Sequence, residues 1–185
     1  MSDFLSAWAQ FHPNCNPVSY ELKHAEPDRW LRFHYEPASP TMASIAEQRA
    51  SALHVMTTAA TAALGDGAEC WISGLLYSLN DTAYADQLAV LKRLNMSSAG
   101  CVQLPDDDNT LDIYAALASW APKRYDDVFM KIENDEVDLF WMNSKTGAVF
   151  APYDRGVDLI LSTPNEVSRL AYEYSNWLSS YPGGW

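Results

Sequence analysis

Residues 137–161 hold three apolar runs with only short turns between them. Val137–Asn143 reads as a strand with aromatic weight, Ser144-Lys145-Thr146-Gly147 as a turn, and Ala148–Ala151 as the returning hairpin partner. Pro152-Tyr153-Asp154-Arg155-Gly156 reads as a second turn and Val157–Leu161 as a further apolar strand. In that second turn Asp154 accepts local backbone N–H bonds and Gly156 supplies a positive φ. Parallel neighbours need a crossover of a dozen or more residues, so connections this short admit only antiparallel pairing. An antiparallel ribbon of this kind must cover its apolar face with another layer.

The helices that supply the layer are legible from spacing. Phe4, Leu5, Trp8 and Phe11 mark a short first helix, with Ser2 as its cap and Pro13 as its stop. Residues 43–64 follow a 3.6-residue period through Ile45, Arg49, Ala52, Leu53, Met56, Ala60, Ala63 and Leu64, and Gly65-Asp66-Gly67 ends them. A helix over 82–94 turns Tyr84, Leu88 and Leu91 inward. Pro122 suits the first position of another, with Tyr125, Val128, Phe129 and Ile132 at helical spacing. Thr163, Pro164 and Glu166 form a cap, an N1 proline and a capping box for a last helix marked by Val167, Leu170, Ala171, Tyr174, Trp177 and Leu178. Further strands are expected over 29–35, 69–76, 101–104 and 111–120. Pro13–Pro17, Pro37–Pro40 and Pro105 read as loops, as does Asp106-Asp107-Asp108-Asn109. The expected fold is α+β, an antiparallel-rich mixed sheet with helices packed on it, in a single domain over residues 1–185.

Composition narrows the function classes. The chain has 185 residues, of which 48% are hydrophobic, enough for a sizeable core. Its formal net charge is −12, and residues 94–185 carry two-thirds of it. Phosphates need Lys and Arg to neutralise them, so this balance argues against nucleic acid as a general partner. No run of 18 apolar residues exists, so no membrane helix is expected. Met1-Ser2-Asp3-Phe4 lacks a basic region and a following apolar one, so no secretory signal is expected either. Cys15, Cys70 and Cys101 form neither an even framework nor a Cys-x-x-Cys clip, which points to a reduced, cytoplasmic protein.

The phosphate-loop, dinucleotide, zincin and nucleophile-elbow motifs are absent, and His12, His24, His34 and His54 show no metal-ligand spacing. No metal, no cofactor and no catalytic residue is expected. Two polar groupings remain. Arg32 and His34 share one strand face with Trp30, and Asp154 with Arg155 lies in the second turn, so a cleft built from these four side chains would hold an anion or move a proton. Negative charge concentrates at Asp106–Asp108 and from Asp126-Asp127 to Glu133, Asp135, Glu136 and Asp138; the acids Asp106, Asp107, Asp108, Asp126 and Asp127 form a candidate surface for a basic protein partner, with Trp120 as an apolar anchor. Calcium is disfavoured there because no glycine follows Asp108.

Several stretches together resemble an uncharacterised bacterial family. Arg29-Trp30-Leu31-Arg32-Phe33-His34 with Glu36-Pro37-x-Ser39 resembles its Trp-x-Arg-Phe-His-x-Leu-Pro-x-Ser signature. Trp120-x-Pro122-x-x-Tyr125-Asp126 resembles its middle segment. Asp135-Glu136-Val137, leading to the stretch from Ala151-Pro152-Tyr153-Asp154 to Leu161, resembles its Pro-Tyr-Asp region. Trp177-Leu178-Ser179-Ser180-Tyr181-Pro182-Gly183-Gly184 resembles its closing motif. The family is a domain of unknown function, so the resemblance implies kinship and no catalytic residue. Where its signatures carry histidine, this chain has Ala151 and Tyr181.

Two functions are expected on these grounds. The first is a non-enzymatic acidic binding protein, in general character similar to the immunity proteins that neutralise bacterial toxins, with a basic toxin as the protein partner. The alternative is an uncharacterised enzyme or small-molecule binder using Arg32, His34, Asp154 and Arg155, which requires those side chains to converge.

Overall fold

The computed structural model describes residues 3–35, 44–76, 81–103 and 110–178. Seven strands form one sheet: β1 (Trp30–His34), β2 (Glu69–Leu76), β3 (Ser97–Gln103), β4 (Thr110–Ser119), β5 (Leu139–Asn143), β6 (Val149–Tyr153) and β7 (Gly156–Ile160). Their order is β1-β7-β6-β5-β2-β4-β3, and every pairing is antiparallel. The helices are α1 (Asp3–Phe11), α2 (Leu22–Ala25), α3 (Ile45–Leu64), α4 (Asp81–Arg93), α5 (Asp126–Glu133) and α6 (Pro164–Glu173). No helix among the described residues is long and apolar enough to cross a membrane.

Strand alternation divides the core into two layers. Leu31, Phe33, Phe150, Val157, Leu159, Leu139 and Trp141 point to the face covered by α3, α5 and α6. Phe140, Met142, Val149 and Ile160 point to the other, where α1 lays Phe4 and Trp8. This explains why β5 and β7 are buried along their whole length and β6 as far as Pro152, with no exposed face. The end of α1 is fastened to the β5–β6 turn. His12 Nε2–H donates to Gly147 O at 2.8 Å, and a Cβ on Gly147 would stand 2.4 Å from the Phe11 ring. With φ at 71° as well, that turn position requires glycine.

Several expected boundaries move, each for a local reason. The helix marked by Pro122 begins at Asp126 instead, because Lys123 takes φ 67° and breaks the helical path. β3 starts four residues before Cys101, through a small-residue stretch with a register shift between Ser98 and Gly100. β6 runs on through Pro152 and Tyr153, so the second turn shrinks to Asp154 and Arg155. Its positive φ belongs to Arg155, at 65°, and not to Gly156. Gly156 is required for another reason: a Cβ there would lie 2.4 Å from Tyr153 Oη and 2.8 Å from Phe33 O.

At α6, Thr163 caps as expected by accepting from Glu166 N at 3.3 Å. The Glu166 carboxylate, however, accepts from Ser162 N at 3.0 Å, so the expected box is displaced by one residue. The helix ends at Glu173 and a 3-10 turn, Ser175–Trp177, carries Trp177 onto Phe33. A full capping box forms on α3, between Ser44 and Glu47.

Candidate functional site

Three polar groupings emerge around the sheet. The first is built on the face of β1 that carries Trp30, Arg32 and His34. Arg32 donates from Nε to Asp158 Oδ1 and from Nη2 to Asp158 Oδ2, both at 2.7 Å. The register sets Arg32 opposite Asp158 and Asp158 opposite Ala151, so the pair lies across the centre of the β1-β7-β6 ribbon. The guanidinium carbon is 5.3 Å from the Trp30 ring centre and 5.0 Å from that of Tyr153, and the His34 ring meets the Tyr153 ring edge-on at 6.5 Å. Asp158 is 5% exposed. Its hydrogen bonds push the Arg32 pKa further up, against the pull of burial. Burial, and then the Asp158 charge, push the Tyr153 hydroxyl well above its ordinary range.

This cluster is electrically balanced and internally committed. Arg32 spends its fork on Asp158, and Tyr153 stays protonated, so neither side chain offers a base or a nucleophile. Trp30 Nε1, His34 Nε2 and Tyr153 Oη are buried without hydrogen-bond partners among the described residues. Asp154 and Arg155 lie beyond Tyr153, both exposed, and no ion pair or hydrogen bond among the described residues joins their side chains to Arg32 or His34. Sequence reasoning thus found Arg32 and His34 but missed Tyr153 and Asp158 as their companions. The signal was strand parity, since Asp158 breaks an otherwise apolar run.

The second grouping is acidic. β1, β2, β3 and β6 end, and β4, β5 and β7 begin, at one end of the sheet. There Glu133 closes α5, with its carboxylate accepting from the Tyr35 hydroxyl and, at 3.2 Å, from Arg155 N. Asp135, Glu136 and Asp138 lead into β5, Asp154 forms the β6–β7 turn, and Asp112 stands opposite Leu76 and Cys101. Lys131, paired with Glu136, and Arg155 are the cations beside them. Burial raises the Asp138 carboxyl to about 6, although Ser19 Oγ, 3.3 Å from both its oxygens, favours the charged form. Asp106, Asp107 and Asp108 lie outside the described residues, between Gln103 and Thr110, which pair at this same end.

The third grouping occupies the opposite end, where β2 begins and β4 finishes. A cleft of about 290 Å³ opens there, with Ile72, Ala118 and Val128 in its wall and Arg93, Arg124 and Asp127 around it. Asp127 is ion-paired with Arg93, so it is separated from the acidic end and already has a cation. Asp126, beside it in the first turn of α5, keeps one carboxylate oxygen buried and unpartnered. Arg124 donates to Ser119 O at 3.2 Å and lies over Tyr125, 5.6 Å from its ring centre. Trp120, expected as a surface anchor, is 0% exposed: it stacks on Tyr125 and Phe129 and donates from Nε1 to Thr61 Oγ1 at 3.1 Å. A proline two residues on is no signal of exposure, because the chain turns only after the indole has entered the core.

A family model described as Domain of unknown function (DUF3885) matches residues 18–182. No curated protein and no solved structure matches the chain.

Proposed function

The chain belongs to that family, and we propose that it acts as a non-enzymatic acidic binding protein, an immunity protein that neutralises a basic bacterial toxin by direct contact in the cytoplasm. One observation carries the reading. At one end of the sheet, among the described residues, Asp112, Glu133, Asp135, Glu136, Asp138 and Asp154 gather beside Lys131 and Arg155, with Arg49 of α3 reaching Met130 one turn before Glu133. A single-sign surface focuses a field that speeds encounter with a partner of opposite sign and rejects partners of like sign. The carboxylates are carried on the end of α5, the short α5–β5 connection, β4 and a two-residue turn, all tied to the sheet, so little ordering entropy opposes docking.

The alternative, an enzyme or small-molecule binder built from Arg32, His34, Asp154 and Arg155, has less behind it. Arg32 is committed to Asp158, and the two turn residues stand apart from it. The test is co-expression with the product of an adjacent toxin-like reading frame. The proposal expects a stoichiometric complex and loss of toxicity, and absence of both removes it.

A further inference from the structure

The two edges of the sheet are not alike. β1, at one edge, carries Arg32 and has α6 packed beside it, two of the devices that keep an edge strand from pairing with another chain. β3, at the other edge, is Ser97-Ser98-Ala99-Gly100-Cys101-Val102-Gln103, with no charge and no proline, in a chain of net charge −12. It pairs with β4 alone, and no hydrogen bond among the described residues reaches its outer edge. We propose that β3 pairs antiparallel with β3 of a second copy of this chain, joining two sheets into one.

The register follows from the bulge. The shift between Ser98 and Gly100 bends the first half of the strand away from a straight ladder, so the segment that can pair is Gly100 to Gln103, with Ala99 at its margin. A two-fold axis perpendicular to the sheet keeps each residue on its own face and centres the pairing on one residue. Centred on Cys101, it uses Ala99 to Gln103 of both copies and sets Gly100 opposite Val102. The two Cys101 side chains, exposed on one face, then meet with their Cβ atoms about 5 Å apart. On the other face Leu5 of α1, half-buried beside Gly100, comes up to its counterpart and adds apolar contact.

Charge favours a second copy in this arrangement. The ladder itself holds no carboxylate. Asp112, opposite Cys101 on β4, is one strand inward, so the two Asp112 stand three strand spacings apart, about 14 Å, beyond the screening length of about 8 Å at physiological salt. Antiparallel pairing points the two acidic ends of the sheets in opposite directions. Each comes to lie next to the end of the other copy where α4 finishes in Lys92 and Arg93, and Lys92 has no acid paired with it among the described residues. Both acidic surfaces stay open, so this inference stands apart from the toxin reading. Asp3, exposed at the start of α1 two residues from Leu5, works against the contact. With a ladder this short it keeps the dimer weak, at a Kd of about 10–100 μM.

The experiment is sedimentation velocity of the full chain from about 1 to about 500 μM, with cross-linking by a short bis-maleimide. The chain is expected to pass from monomer to dimer over this range, and the reagent to join the dimer through Cys101. Cys101→Ser is expected to keep the dimer and lose the cross-link. Adding Asp66→Cys to that variant, which moves the exposed thiol to the turn before β2, is expected to restore no cross-link. Cys101→Lys sets two like charges against each other at the axis. It is expected to weaken the dimer at least about tenfold with an unchanged melting temperature, although it lowers the net charge that keeps copies apart. The proposal is overturned if the chain stays monomeric to the top of the range, if folded Cys101→Lys dimerises like the parent, or if the parent dimer forms without a Cys101 cross-link.

Discussion

Arg32 and Asp158 face each other across β1 and β7 and close a two-pronged ion pair, with both hydrogen bonds at 2.7 Å. Both groups are largely buried, so the pair is a commitment: each charge is tolerable only while the other is present. Arg32→Ala is expected to destabilise the chain by about 3–5 kcal/mol, because it strands the Asp158 carboxylate in the sheet. The double replacement Arg32→Met with Asp158→Leu is expected to cost much less than the sum of the single changes. Urea unfolding of all three variants checks this, and additive losses would contradict it.

Asp138 makes stability depend on pH. Its carboxyl is raised by burial to about 6 in the folded chain, above the ordinary aspartate value near 4. Between these values the folded state holds the proton more tightly than the unfolded state. The resulting stabilisation is complete below about pH 4 and is lost as pH rises through about 6. Asp138→Asn removes that loss. Relative to the parent, the variant is expected to gain about 1–2 kcal/mol between pH 4 and pH 7, discounted from the full linkage because the side chain keeps partial solvent contact. Equal pH dependence of the two chains would contradict this.

The β6–β7 turn divides two roles between adjacent residues, Arg155 and Gly156. Arg155 holds φ 65°, a strained angle for a residue that carries a Cβ, whereas Gly156 leaves the space of a Cβ to the Tyr153 hydroxyl. Arg155→Gly is expected to be neutral to stabilising by up to about 1 kcal/mol. Gly156→Ala is expected to destabilise by about 1–3 kcal/mol, since the Tyr153 ring and the Phe33 carbonyl crowd the added methyl. Thermal melts of both variants check the contrast, and a reversed order would contradict it.

Sequence patterns carried the parts of this fold set by period and by turns. The hairpins from Val137 to Leu161, the strand over 69–76 and the long helix to Leu64 follow from short connections and clear periodicity. Ser19–Ala25 was missed because its 3-10 turn and single helical turn are too short to show a period. The first half of β3 was missed because Ser97-Ser98-Ala99-Gly100 has no strand propensity, and β4 and α1 hold it in place. Burial was the harder quantity: nothing local distinguishes Trp120, deep under α3 and α5, from an exposed indole. The acidic end was legible only in part. Glu133, Asp135, Glu136 and Asp138 stand together in one stretch of the sequence, whereas Asp112 and Asp154 come from two other segments, and only the antiparallel register brings the three together.

Cysteine reactivity should follow burial. Cys101 is exposed, whereas desolvation pushes the Cys15 thiol up to about 11 and that of Cys70 up to about 12. A disulfide reagent at pH 8 is expected to modify one thiol rapidly in the native chain, and Cys101→Ser is expected to remove that phase. Rapid reaction of two or more thiols in the native state would contradict it.

The central claim is that the acidic end of the sheet steers a basic partner onto this chain. The direct measurement is stopped-flow association with that partner, comparing the parent with Asp135→Lys plus Asp154→Lys, and with the same charge change made at Asp66 and Glu69 on the opposite end. The account predicts an association rate lowered by about tenfold for the first pair at low salt, a difference that shrinks as salt rises, and a far smaller effect for the second pair. Equal association rates for the parent and the Asp135 and Asp154 variant would contradict it.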